Sequence, residues 1–189
     1  IRAGYMELSI MPEIAWVEYF IATRQLGDFK NSDCAELILK TKRIDPKKPV
    51  QAEQVHGNEF AVVGIDNAGQ QISGVDALIT AVPQIPLLIR TADCAPVVII
   101  EREKRIIAAI HAGSKGTEKG IVTNVLRFIL TNLKGSPANC RVIIGPHIRS
   151  CCYPVDITQA NIRQLRELGV NQHQIEVYDG CTSCEPELF

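Results

Sequence analysis

The chain has 189 residues, 46% of them apolar, which is enough for one compact domain over residues 1–189 with a core of its own. Twenty Lys and Arg against twenty-one Asp and Glu leave a formal net charge of −1, which excludes a field that draws nucleic acid or an anionic membrane and points to a small ligand. The longest apolar runs, such as Ile85–Ile89 and Val97–Ile100, fall far short of the roughly 20 residues that span a bilayer, so no membrane association is expected.

The N-terminus shows no basic stretch leading into an apolar run and a small-residue cleavage site, so a cytoplasmic location is expected, and a start at Ile1 suggests a trimmed chain. Seven cysteines are an odd number in a domain able to bury its own core, which argues for reduced thiols over a secreted disulfide framework. Cys34 and Cys140 read as small packed hydrophobes, and Cys181 and Cys184 as a CxxC without a second pair to complete a four-thiolate site. No obligate protein partner is evident.

In chain order the apolar patterning predicts strands over Ile14–Ala22, Val50–Val55, Phe60–Ile65, Ala77–Thr80, Leu87–Arg90, Val97–Ile100, Ile106–His111, Arg141–Ile144 and Ile175–Tyr178. The charged stretch Glu101–Arg105 separates two of them as a hairpin turn would. Helices are predicted over Asp33–Lys42, with Asp33 and Glu36 spaced as a capping pair, and from Thr117 to a stop at Gly135, with Ile121, Val122, Val125, Leu126, Ile129 and Leu133 on one face. A third runs over Thr158–Leu168 and ends at Gly169. Hairpins and helical crossovers together favour an α+β fold, layered α/β/α with mixed β-sheets, over a purely parallel doubly wound one.

Three segments at strand ends concentrate reactive side chains: Gln54-Val55-His56-Gly57, Ala92-Asp93-Cys94-Ala95-Pro96 and Ile110-His111-Ala112-Gly113. Taken singly, His56 reads equally as a solvated turn histidine and His111 as a satisfied core histidine. Together, two imidazoles and a thiolate suit zinc with a fourth position open for water or substrate, and disfavour magnesium or calcium. Asp76 and Asp93 are candidates for proton transfer or for orienting a ligand. Gly113-Ser114-Lys115-Gly116-Thr117 opens a helix, where backbone N–H groups and Lys115 could meet phosphate, although an ordinary strand-to-helix turn capped by Thr117 fits as well. Gly145–Tyr153, with its adjacent Cys151 and Cys152, reads either as a loop that closes the site or as a packed turn.

These segments in this order resemble the YfiH-like family, long labelled multicopper polyphenol oxidoreductase or laccase-domain proteins. The resemblance rests on QVHG at 54–57, DALIT at 76–80, TADCAPV at 91–97, AAIHAGSKGTEKGI at 108–121 and IGPHIRSCCYPV at 144–155. It implies a metal site at His56, Cys94 and His111, phosphorolysis of purine nucleosides with adenosine deamination as a related activity, and a layered fold similar to the catalytic domain of cytotoxic necrotizing toxins. Gly113, Lys115, Gly116 and Thr117 would hold phosphate or substrate, together with Arg24, although Thr23-Arg24 keeps only part of the family's arginine segment. The chain departs from the family at Ser114-Lys115, where Trp-Arg is usual, at Pro154, where an acid is usual, and at Phe189, where it stops without the Tyr-Arg-Arg-Asp type of tail. A lysine offers a point charge where an arginine would offer a planar fork.

Three other readings stay open on the residues. Two His and one Cys also describe a copper site, but four histidines are few for a multicopper oxidase, so copper ranks below zinc. Cys94 and His111 could instead form the dyad of a cysteine hydrolase. Cys151 or Cys152 could close the metal site as a fourth ligand and make it structural in a partner-binding module.

Overall fold

The computed structural model describes residues 5–6, 14–27, 39–41, 43–45 and 48–189. A six-stranded sheet organises it, in the order β11 (Ile175–Val177), β10 (Cys140–Ile144), β8 (Ala95–Glu101), β9 (Ile106–Ala112), β6 (Ala77–Thr80) and β4 (Phe60–Val62). The four central strands pair antiparallel, while β4 joins β6 and β11 joins β10 in parallel, so the sheet is mixed as expected. A second, parallel sheet is ordered β5 (Gln71–Ile72), β3 (Val50–Ala52), β7 (Leu87–Leu88), and β1 (Tyr5–Met6) pairs with β2 (Ile21–Ala22).

The period-two alternation of each strand sorts its residues between two packed faces. Ile79, Val97, Ile99, Ala108, Ile110, Val142 and Ile144 face a layer of three helices, α1 (Ser114–Glu118), α2 (Ile121–Thr131) and α3 (Ile157–Glu167). Their neighbours turn the other way: Leu78 packs with Val50 and Ala52 of the second sheet and with Val63 just after β4, and Ile100 and Ile143 pack with Ile14 and Val17. Ile79, Ile99, Ile110, Leu126 and Ile129 are fully buried, each contributing about 1.5–3 kcal/mol by removal from water. Both faces of the central strands are therefore covered, which is why they read as continuous apolar runs.

The expected hairpin is β8–β9, turning at Arg102–Arg105 with Arg105 at φ +52. Glu101, expected in the turn, is the last residue of β8 and fully buried, its carboxylate capping the turn by accepting the Lys104 N–H at 2.6 Å. The helix expected from Thr117 is instead two helices broken at Gly120, whose φ of +77 a left-handed residue supplies. The second ends at Thr131, short of Gly135, with Lys134 in the left-handed conformation beyond it. Thr117 lies inside α1 and is not a cap; Gly113 occupies that position.

α3 agrees closely with its prediction, with the Asp156 carboxylate accepting the Gln159 N–H at 2.9 Å and Gly169 at φ +90 beyond its end. The strand expected over Ile14–Ala22 shrinks to Ile21–Ala22: Ile14 and Val17 instead fold over the sheet as a tethered turn, with the Val17 N–H bonded to the Ile14 carbonyl. Tertiary packing here overrides β propensity. The helix expected over Asp33–Lys42 falls mostly outside the described residues, as does Cys34; residues 39–41 are helical. Among the described residues no helix is long and apolar enough to cross a membrane.

Candidate metal centre

The β8–β9 register places the first two candidate ligands. Ala95 pairs with Ala112 and Pro96 with His111, so Cys94, one residue before β8, comes to lie against Gly113, one residue after β9. The approach is close: a Cβ on Gly113 would stand 2.8 Å from Cys94 Sγ and 3.4 Å from His56 Cδ2, so this position must stay glycine. A Cβ on Gly116 would likewise stand 2.7 Å from the Gly57 carbonyl oxygen. The glycines predicted to admit phosphate thus make room for the QVHG loop and for Cys94.

Asp76 brings in His56. It is fully buried at the start of β6, and its backbone carbonyl accepts the His111 N–H at 2.8 Å, which sets its side chain beside the imidazole. Asp76 Oδ1 accepts from His111 Nδ1 at 2.7 Å and from the His56 N–H at 2.9 Å; Oδ2 accepts the N–H of Gly57 at 2.7 Å and of Val55 at 3.2 Å. One carboxylate therefore holds the whole loop that presents His56. Gln54 fixes the other side of that loop, donating to the Arg90 carbonyl at 2.5 Å and accepting the Arg90 N–H at 2.7 Å. Gln54 and His56 both sit at positive φ, +65 and +60, a conformation that costs non-glycine residues energy and persists because these bonds impose it.

The ligand atoms of His56, Cys94 and His111 all lie within 4.8 Å of one another, with exposure falling from His56 through half-buried Cys94 to buried His111. The rings of His56 and His111 meet edge to face at 4.8 Å between centroids. Burial opposes ionisation of Asp76, but hydrogen bonds from His111, Gly57 and His56 outweigh it and hold its carboxyl below the ordinary value. Burial also lowers the His111 pKa despite the neighbouring carboxylate. The 2.7 Å contact is thus a neutral imidazole donating Nδ1–H to a carboxylate, which leaves the Nε2 lone pair free as a metal ligand. The Cys94 thiol is pushed up by burial and then by the carboxylates of Asp93 and Asp76. Such a sulfur needs a cation to become a thiolate.

The donor set fits zinc by chemistry and spacing, and Asp76 supplies the carboxylate that commonly orients a ligating histidine. Asp76 was legible only as one of two unassigned acids; the signal was an Asp set directly before the apolar run Ala77–Ile79. Asp93 is tied differently, accepting from Thr182 Oγ1 at 2.8 Å, while its backbone carbonyl accepts the Ile148 N–H at 2.9 Å.

The predicted phosphate contacts are partly committed elsewhere. The Thr117 N–H is bonded to the Gly113 carbonyl within α1, Thr117 and Gly116 are buried, and the Lys115 side chain is exposed with no ion pair or hydrogen bond among the described residues. Free first-turn N–H groups are those of Ser114, Lys115 and Gly116. Arg24 is bound to the C-terminal segment, Nη1 donating to the Pro186 carbonyl at 2.8 Å and its backbone N–H to Leu188 at 2.9 Å. Cys151 and Cys152 do not join His56, Cys94 and His111; they gather with Cys181 and Cys184. Cys140 is the packed hydrophobe expected, with burial as the main cause of a pKa pushed up to about 12.

A family model described as multi-copper polyphenol oxidoreductase laccase matches residues 31–158. The chain belongs to this family. A Streptomyces coelicolor protein named purine nucleoside phosphorylase is 35% identical over 64% of this chain and 49% of its own length. A Corynebacterium glutamicum protein of the same name is 30% identical over 89% of this chain and 80% of its own. The chain therefore spans about half the length of the first relative, and 65% of YlmD from Geobacillus stearothermophilus, also named purine nucleoside phosphorylase. Among solved structures, YlmD superposes with a TM-score of 0.92 at 24% identity, covering all of this chain and 90% of that one. YfiH from Bacillus licheniformis gives 0.81 at 26% identity, covering 84% and 73%. The YfiH-like membership and layered fold expected from the motifs are thereby shown.

In this laccase-domain chain His147 has a structural part. It is fully buried in the segment after β10, its Nδ1 donating to the Gly145 carbonyl at 2.8 Å and its Nε2 accepting from Thr158 Oγ1 at 2.8 Å. Burial is the main cause that holds its pKa below the ordinary 6.5. The sign follows: below 6.5 the unfolded chain takes up a proton that the folded one refuses, so stability falls as pH drops from there toward the folded-state pKa. Metal-free protein should lose up to about 1.4 kcal/mol per pH unit from this group, read as a falling denaturant midpoint between neutral and mildly acidic pH. A His147→Gln variant with an unchanged pH slope would assign the effect elsewhere.

Proposed function

We propose that the chain is a zinc-dependent purine nucleoside phosphorylase with a related adenosine deaminase activity, working on free nucleoside and phosphate. The observation that carries this reading is the convergence of His56, Cys94 and His111 on one point reached by solvent, braced by buried Asp76, in a family whose curated relatives bear the phosphorylase name. Bound zinc would supply Lewis-acid polarisation of a substrate group in the position that the three ligands leave open.

The chain's own residues supply the rest. Asp76 holds His111 in the ligating tautomer and keeps the His56 loop in place without a proton of its own. Lys115, two residues beyond the glycine that touches Cys94, is the cation for phosphate, with the Ser114, Lys115 and Gly116 amides beside it. Arg24 is the second cation in this reading. In phosphorolysis a phosphate oxygen attacks the anomeric carbon, and the glycosidic C–N bond breaks with its electrons leaving on the purine. In deamination water replaces the exocyclic amine, which departs as ammonia. Cytoplasmic location accords with these substrates and with reduced cysteines.

A cysteine hydrolase has one observation in its favour, because Cys94, His111 and Asp76 stand in the order of a nucleophile, base and orienting acid. Two observations weigh against it: His56 converges on the same point as a third donor, and the Cys94 thiol is raised where a nucleophile should be lowered. A multicopper oxidase lacks ligands, since only two of the four histidines meet; His147 is consumed in its own hydrogen bonds and His173 is exposed on a separate turn.

Adenosine offered to zinc-replete protein should yield adenine and ribose-1-phosphate only with phosphate present, and inosine without it. Lys115→Ala should weaken the phosphate dependence about tenfold or more, since one charged contact to an anion is worth roughly 1.5–3 kcal/mol, and should affect deamination less. Absence of both products from adenosine, inosine and guanosine would end the nucleoside reading. An untouched phosphate response in Lys115→Ala would end only the placement of phosphate. Rapid alkylation of Cys94 with activity surviving chelation would favour the hydrolase.

A further inference from the structure

A second cluster of metal-ligating side chains lies outside this centre. The segment after β10 carries adjacent Cys151 and Cys152, and the C-terminal segment carries Cys181 and Cys184; all four sulfurs lie within 4.8 Å of one another. Cys152 Sγ and Cys184 Sγ are 3.4 Å apart, and Cys151 Sγ and Cys184 Sγ 3.7 Å. Four thiolates at about 2.3 Å around a tetrahedral zinc ion stand about 3.8 Å from one another, whereas a disulfide joins sulfurs at about 2.05 Å.

The backbone around the cluster has the form of two ligand-bearing turns. The Cys181 carbonyl accepts the N–H of Cys184 at 3.0 Å and of Glu185 at 2.9 Å, while the Arg149 carbonyl accepts the N–H of Cys152 at 2.9 Å and of Tyr153 at 3.0 Å. The Arg149 N–H is also directed at Cys181 Sγ, 3.3 Å away, a bond that favours the anionic sulfur of a metal ligand. Cys151, Cys152 and Cys184 are exposed and Cys181 is buried. Three exposed thiols beside a fourth are an oxidation hazard unless a metal or a disulfide engages them.

We propose that Cys151, Cys152, Cys181 and Cys184 hold a structural zinc ion as four thiolates, closing a site separate from the His56, Cys94 and His111 centre. Four protein ligands leave no open position, so this ion takes no part in chemistry. It ties the C-terminal segment to the loop after β10. Next to Cys181, Thr182 donates its N–H to the His147 carbonyl at 3.2 Å and its hydroxyl to Asp93 at 2.8 Å, one residue from Cys94. Further along, Pro186 and Leu188 hold Arg24. The cluster thereby secures two segments that border the first centre.

Zinc content of protein purified under reducing conditions tests this. The wild-type chain should carry about two equivalents, and both Cys94→Ala and the double variant Cys151→Ser/Cys184→Ser should halve that number. Where the double variant does not fold, Cys94→Ala still decides: cobalt substituted into it should show the charge-transfer intensity of four thiolates and the ligand-field bands of a tetrahedral ion. A zinc-free Cys94→Ala protein with four readily titrated thiols would overturn the proposal, as would thiols that stay silent until a reductant cleaves disulfides. Either result leaves the first centre and the nucleoside reading to their own assays.

Discussion

Replacing Cys94 by alanine is expected to remove zinc binding at the His56, Cys94 and His111 centre and the activity with it, while the fold survives. Changing a residue that merely orients a ligand costs about 10–100-fold in metal affinity, so loss of an inner ligand should exceed that range. Two histidines cannot replace the sulfur, because Asp93 is engaged with Thr182 and Asp76 is consumed by four hydrogen bonds. Stability should change little, since the thiol makes no hydrogen bond among the described residues and its ionisation is opposed by burial and two carboxylates. Chelator competition gives the affinity, and the denaturant midpoint of metal-free protein gives the stability. Wild-type affinity at this centre in Cys94→Ala would remove the thiolate from the ligand set.

The central hairpin and the helix stripe were readable because local and tertiary preferences agree there. Val97–Ile100 and Ile106–Ile110 are apolar on both faces with charges only between them, and Ile121, Val122, Val125, Leu126 and Ile129 recur at the helical period and are all fully buried. Residues 14–22 misled for the opposite reason, since a strand-like composition is spent on covering Ile100 and Ile143. Of the site, the donor types could be read but not their supports. Asp76 meets His111 only through the β6–β9 register, which pairs Ala77 with Ile110 and has no local trace. The four cysteines escaped because an adjacent pair about 30 residues before a CxxC matches no familiar zinc spacing; the parallel bridge between His147 and Cys181 brings them together.

Asp76→Asn should be the most telling conservative change, because it keeps shape and removes one acceptor. The carboxylate serves four donors, with Oδ1 taking His111 Nδ1–H and the His56 N–H, and Oδ2 taking the N–H of Gly57 and Val55. An asparagine has one oxygen. If its NH2 faces the loop, it meets the N–H groups of Gly57 and Val55 donor to donor, and both bonds are lost, the half-buried Gly57 N–H at a cost approaching about 1 kcal/mol and the exposed Val55 N–H at less. The His56 loop, already at positive φ, then loses its main anchor. If the amide turns over, its NH2 meets His111 Nδ1, which must give up its proton to accept; the proton moves to Nε2 and blocks the ligating nitrogen. Both outcomes weaken the metal centre, so zinc affinity should drop about 10–100-fold. Nitrogen NMR of metal-free protein separates them, since a flipped amide converts His111 from the Nδ1–H to the Nε2–H tautomer and a displaced loop leaves the tautomer alone. Undiminished zinc affinity together with an unchanged His111 tautomer and loop would show that Asp76 neither orients the histidine nor holds the loop.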